Sequence, residues 1–177
     1  MTKLTDSAEK YTLPPWRMNQ IIIEVLSVLS EKEYYREDFD YKEMIQAMGI
    51  KIKSFSSFSP ENLKAFRQIS LSLWNEGVCL VFPNEETGDV CRMIAYDDTR
   101  SAAEIMQIIL HEFAHLHLKH TEQSINGETE AACFAVAMSL MLMLEKQFHI
   151  GKMIQKMGEI NYLLQSIKES ISAKEAV

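Results

Sequence analysis

Apolar residues recur along this chain at two periods, and the alternation between them predicts the elements. Pro14 and Pro15 open a first helix that runs to about Ser30, because proline is tolerated in a first helical turn. On it Ile22, Val25, Leu26 and Leu29 recur at helical spacing. An acidic connection over 31–38 leads to a short second helix, started by the Asp40-x-x-Glu43 cap signal and ended by Gly49. The alternating run Ile50-Lys51-Ile52-Lys53 reads as a strand. Ser59 and Pro60 then begin a third helix with Leu63, Phe66, Ile69, Leu73 and Trp74 on its apolar face and Gly77 as its stop.

Two β-rich runs, Val78–Phe82 and Val90–Tyr96, flank a polar loop and predict a hairpin. With the run after Gly49 they suggest a small three-stranded antiparallel sheet. Ser101-x-x-Glu104 is a capping box for a helix reaching about His120, and a polar break separates it from a helix beginning near Glu128. That second helix contains the most apolar run of the chain, Ala131–Leu144. It is shorter than the roughly 20 residues that span a bilayer, so it reads as a buried core helix. An amphipathic stripe over 152–172 predicts a last helix, either packed on the core or forming a dimer surface, and residues 1–13 read as a loose arm. The whole, 1–177, reads as one domain, mostly helical and of α+β class.

Composition narrows the function. Hydrophobic residues at 47% and charged residues at 24% are globular values, and the scarcity of Gly (6) and Pro (4) agrees with long helices. The net charge of -7 argues against direct binding of nucleic acid, which needs a basic patch for phosphates. Cys79, Cys91 and Cys133 are odd in number, lack C-x-x-C spacing and sit in apolar runs, so neither a disulfide framework nor a thiolate zinc site is expected. The absence of an apolar export segment near Asp6 and Glu9 agrees with that reading and points to a cytoplasmic protein.

The chemistry lies in His111-Glu112-Phe113-Ala114-His115. Two His four apart on a helix project from one face, about one turn apart, so both imidazoles reach one metal ion. Neutral imidazole is a good zinc ligand. Glu112 is then placed as the general base, taking a proton from water and later delivering it to a leaving amine. The competing reading is a pair of satisfied core histidines. Against it stands the setting, a capped helix whose intervening residues are Phe113 and Ala114.

Catalytic zinc sites usually have three protein ligands. A metzincin arrangement needs Gly at 118 and His at 121, where this chain has Leu118 and Thr121. The third ligand is therefore expected from a carboxylate in the run Glu128-Thr129-Glu130-Ala131-Ala132-Cys133-Phe134-Ala135. Residues two apart on a helix face about 200° from each other, so one of Glu128 and Glu130 faces the metal and the other does not. Of the remaining histidines, His117 is expected to point away from the metal face and His149 to be structural. His120 reads as a surface residue near the helix C-terminus, where the dipole favours it. Tyr96 and Asp97 read as strand-end residues, with substrate contact as the alternative.

H-E-x-x-H followed by E-x-E-A-x-x-F-A, after a hairpin ending Ile94-Ala95-Tyr96-Asp97, resembles the ImmA/IrrE-like metallopeptidases, the M78 peptidase group. The resemblance covers roughly residues 40–145. It implies a minimal zincin-like fold of gluzincin type, with His111, His115 and Glu128 as the zinc ligands and Glu112 as the catalytic base. It further implies a regulatory zinc-dependent endopeptidase that cleaves a helix-turn-helix repressor, as the family's studied members do in controlling mobile elements or stress responses. One departure is Ala132, where the family pattern usually has Asn or Asp, so either another group accepts from a ligand His or the site is weaker than the family's. The rival expectation is a regulatory binding module that keeps the fold and cleaves nothing. In zinc peptidases an extended substrate pairs with an edge strand beside the active helix, and Val90–Tyr96 is the candidate here.

Overall fold

Side-chain caps start most of the helices. The computed structural model describes residues 12–83, 88–157 and 160. Helix α1 spans Pro15–Glu31 with proline in its first turn. Asp40 caps α2 (Tyr41–Ala47), its carboxylate accepting from the Lys42 and Glu43 amides at 2.7 and 3.1 Å. Gly49, at φ 77°, turns the chain from α2 into strand β1 (Ile50–Ser54), a left-handed conformation that glycine adopts without a Cβ clash. A short 3-10 turn, Phe55–Ser57, precedes α3 (Pro60–Ile69), which Ser59 caps. Strands β2 (Gly77–Pro83) and β3 (Val90–Tyr96) form the hairpin. The capping box of Ser101 and Glu104 is present at α4 (Ala102–His117), and Ser124 caps α5 (Ile125–Phe148).

The sheet differs from the expectation. It is mixed, in the order β1-β3-β2, with β3 antiparallel to β2 and parallel to β1. The hairpin brings β2 and β3 together. The connection from β1 through α3 is long enough to let β3 take the place between them. Both sides of β3 are therefore paired, from Ile50↔Arg92 to Ser54↔Tyr96 on one side and from Gly77↔Tyr96 to Pro83↔Val90 on the other. Val90–Tyr96 is not an edge strand and has no free ladder to offer a peptide.

α4 is the centre of the fold. It packs on α5 on one side and on β2 and β3 on the other, while α1 closes against α5. Ile109, Leu110, Phe113 and Ala114 of α4 are fully buried with Ala131, Phe134 and Met138 of α5 and Ile21, Val25 and Leu29 of α1. Phe113 and Phe134 meet edge to face at 5.8 Å, a geometry worth about 0.5–1.5 kcal/mol beyond burial.

The helices depart from their predicted limits or faces: α4 stops at His117 and α5 starts at Ile125, each three residues earlier than expected, and α1 and α3 differ more. On α1 the buried stripe is Ile21, Val25, Val28 and Leu29, while Ile22 and Leu26 face outward. Apolar residues occupy more of that helix than its contact with α5 covers, so spacing alone admits a face one position off. α3 ends at Ile69, and Leu73 and Trp74 are not helical. The Ser70 hydroxyl accepts from the Ser72 amide and the Ser72 hydroxyl from the Trp74 amide, at 3.2 and 3.1 Å. Such local bonds compete with the helix and hold 70–76 as an irregular strap.

Of the C-terminal stripe, residues 150–157 are helical after His149, which turns the chain at φ 50°. The rest of 152–172, all but the end of the arm 1–13, and loop residues 84–87 lie outside the described residues. α5 is long and apolar enough to cross a bilayer by length and composition. Its face bearing Val136, Leu140 and Met143 is exposed.

Candidate metal centre

Helical spacing on α4 puts His111 and His115 one turn apart, and the α4–α5 packing brings the first turn of α5 opposite them. Glu128 Oε2 lies 3.1 Å from His111 Nε2, Glu128 Oε1 lies 3.4 Å from His115 Nε2, and the two Nε2 atoms are 3.2 Å apart. The three side chains form a group able to hold a metal ion. The spacing fits one: four ligands about 2.0–2.1 Å from a tetrahedral ion lie about 3.4 Å from each other. The choice between the two carboxylates falls to Glu128. Glu130 lies one turn side away and pairs instead with Arg17 Nη2 at 2.5 Å.

Burial works against the Glu128 charge, but hydrogen bonds from His111, His115 and the Leu73 amide outweigh it and hold this carboxyl far below the usual range. The Leu73 N–H donates to Glu128 Oε1 at 2.6 Å, which ties the strap to the cluster. Trp74 stacks on His111 with ring centroids 3.9 Å apart and planes 12° from parallel. Gln123 Nε2 donates to the carbonyls of Ser70 and Ser72, and the Leu71 amide to the carbonyl of Cys79. Under this cover His111, Glu112 and His115 are all 0% exposed.

Glu112 projects from α4 toward the start of β2. Both its carboxylate oxygens are buried and make no hydrogen bond of ordinary geometry. Burial pushes its carboxyl up to about 8. The Cys79 thiol and Ser72 hydroxyl oppose the rise, and the Glu128 charge adds to it. Its nearest wall is Gly77. A Cβ there would sit 2.5 Å from Glu112 Oε1 and 2.8 Å from its Cγ, so the backbone of β2 approaches as only glycine allows. An uncompensated buried carboxylate is costly, and its natural partners are a cation or a polar ligand.

The other predicted residues divide. His117 points away, with Nε2 3.5 Å from Glu24 and its ring against Phe113 and Phe134. Tyr96 carries the Lys42 ammonium 5.1 Å from its ring centre, and Asp97 caps Thr99 and bonds Arg100. Neither of these two has a bond to the cluster among the described residues. His120 is not a surface residue. Its Nδ1 lies 2.9 Å from His115 Nδ1, and burial lowers its pKa against the opposing pull of Glu130. His120 thus gives His115 Nδ1 a polar neighbour. His111 Nδ1 is buried and has no hydrogen-bond partner among the described residues. The three cysteines are free, and Cys79 is buried beside Glu112. Comparison of the chain with protein-family models, curated proteins and solved structures gives no match.

Proposed function

We propose that the protein is a zinc-dependent endopeptidase acting on one specific protein, with a helix-turn-helix repressor as the substrate class that its motif resemblance implies. The observation that carries this reading is the spacing of 3.1–3.4 Å among His111, His115 and Glu128, with a buried carboxylate on the same helix that lacks any hydrogen bond of ordinary geometry. These three residues would hold zinc, which supplies Lewis-acid polarisation of a scissile carbonyl and of water when bound. Glu112 accepts a proton from water and returns it to the leaving amine. Burial raises the Glu112 carboxyl in the metal-free protein, and a bound cation would pull it back down, toward the range in which a base takes and returns a proton near neutral pH. Gly77 gives the base room, and Trp74 walls the site on the His111 side.

A second reading has its own observation. The two His and Glu112 are sealed by the strap 70–76, as in a protein that keeps a metal centre and binds its partner without cutting it. Metal content and cleavage separate the two. Wild type and Glu112→Gln are analysed for bound metal and incubated with any helix-turn-helix repressor found encoded beside the protein's gene. A peptidase shows stoichiometric zinc in both proteins, with cleavage slowed by about 10²–10⁴-fold in the variant. Partner binding without cleavage by either protein establishes the binding module, and the absence of bound metal removes the site.

A further inference from the structure

A metal-bound imidazole holds its ring and tautomer when its second nitrogen donates to a fixed acceptor. His115 turns Nε2 toward His111 and Glu128, which leaves Nδ1 for that role. The atom that meets it, at 2.9 Å, is Nδ1 of His120, and one of the two must donate. With the Nε2 lone pair of His115 given to a metal, the proton of that ring is on Nδ1, so His120 accepts. The His120 proton is then on Nε2, which lies 3.4 Å from Glu130 Oε2. The same oxygen takes the Arg17 guanidinium at 2.5 Å. Donors therefore run in one direction, from the ligand through His120 to a carboxylate neutralised by arginine.

The backbone is shaped for this contact. α4 ends in a Schellman-type turn: Lys119 adopts the left-handed conformation at φ 58°, and the His120 amide donates to the His115 carbonyl at 3.0 Å. That turn folds His120 back beneath the ligand five residues before it. A residue with a Cβ normally avoids this conformation at a cost of about 1 kcal/mol. Across the gap, a Cβ at Gly127 would lie 3.0 Å from Ser124 Oγ and 3.4 Å from His120 Nδ1, so glycine leaves the imidazole its space.

We propose that His120 is a positioning residue of the metal centre: backed by Glu130 and Arg17, it fixes His115 as the Nδ1–H tautomer and aims Nε2 at the ion. This rests on the metal reading of His111, His115 and Glu128 and is independent of hydrolysis. The test is zinc affinity, by competition with a chromogenic chelator, for wild type, His120→Leu and His120→Asn. Long-range ¹H–¹⁵N spectra of the zinc-loaded wild type accompany it. His120→Leu is expected to bind zinc about 10–100-fold more weakly, the usual effect of losing an outer partner. His120→Asn, whose amide oxygen can stand where Nδ1 stands, recovers most of that loss. The spectra show His115 protonated at Nδ1 and His120 at Nε2. Unchanged zinc affinity in a folded His120→Leu, or a His120 protonated at Nδ1, overturns the proposal while leaving the metal centre intact. If His120→Leu does not fold, the asparagine variant and the wild-type spectra decide. A wild type that binds no zinc overturns the metal reading and this proposal together.

Discussion

The two walls of the His111–His115–Glu128 cluster are built by opposite means. One wall is α4 and the first turn of α5, where regular helices fix every ligand and apolar packing of Phe113, Phe134 and Ala131 holds the helices together. The other is the strap 70–76, which has no regular structure and is held by hydrogen bonds from Gln123, Leu71 and Leu73 and by the Trp74–His111 stack. Hydrogen bonds of this kind contribute about 0.5–1.5 kcal/mol each, whereas burying one large apolar side chain contributes about 1.5–3. Segments with few buried apolar contacts open at the lowest free energy. Local opening at the His111–His115–Glu128 cluster is therefore expected in the strap before the helices, and the proposed peptidase would need such an opening to admit a polypeptide.

Glu112 belongs to the first wall and is desolvated by the second, so it gives the largest expected effect. In the metal-free protein its carboxyl is raised from 4.5 to about 8. The unfolded chain releases this proton near 4.5, and the folded one keeps it until about 8. Between those values the folded state holds the extra proton, so stability falls as pH rises. The slope is about 1.4 kcal/mol per pH unit, for a total on the order of 5 kcal/mol. None of the penalty is present below pH 4.5, and all of it is present above 8. Urea unfolding of chelator-treated wild type and Glu112→Gln, compared at each pH across that window, reads the difference directly. The variant is expected to gain on wild type steadily from pH 5 to 8. A constant difference would mean that Glu112 is solvated, and that the strap does not seal the site.

The same contrast separates what was legible in the sequence from what was not. The helical wall was legible because its signals are local: the Ser101–Glu104 capping box, the four-residue spacing of His111 and His115, and a carboxylate at the start of the next helix, although that helix begins three residues earlier than expected, at Ile125. The strap was not. Leu73 and Trp74 continue the apolar spacing of α3, and only the paired hydroxyls of Ser70 and Ser72 signal that the helix stops. His120 was hidden by its turn, because Lys119 takes the left-handed conformation that composition reserves for glycine or asparagine. The place of β1 beside β3 was hidden for a third reason: parallel pairing joins distant segments, and no hairpin announces it. Two of the features that escaped rest on weak local signals and one on pairing of distant segments, and the first two touch the His111–His115–Glu128 cluster.

Gly77 lies at the junction of strap and β2, and its substitution has the next largest effect. In Gly77→Ala the new methyl meets Oε1, Cγ and Cδ of Glu112 at 2.5–2.9 Å. Overpacking of this order costs about 1–3 kcal/mol. The side chain with most room to yield is Glu112 itself. Thermal unfolding is expected to show that loss, and on the proposed peptidase reading cleavage falls further than zinc affinity, since His111, His115 and Glu128 stay in place. Equal losses in zinc binding and cleavage would show that β2 and α4 move together as one body.

Trp74 tests the cover alone. Its indole lies 3.9 Å from the His111 ring but is 38% exposed, so Trp74→Ala removes a stack and little core. An aromatic pair of this kind contributes about 0.5–1.5 kcal/mol beyond area burial, and the melting temperature should fall only modestly. The consequence is concentrated in the strap. Losing about 1 kcal/mol from the closed state raises the open population roughly fivefold. A chelator in excess should therefore strip zinc from Trp74→Ala about five times faster than from wild type, with equilibrium affinity changed less. Trp74→Phe, which keeps an aromatic face over His111, should lie between them. Stripping at the wild-type rate, with stability lowered as expected, would break the comparison: the metal would then exchange by a route other than the strap.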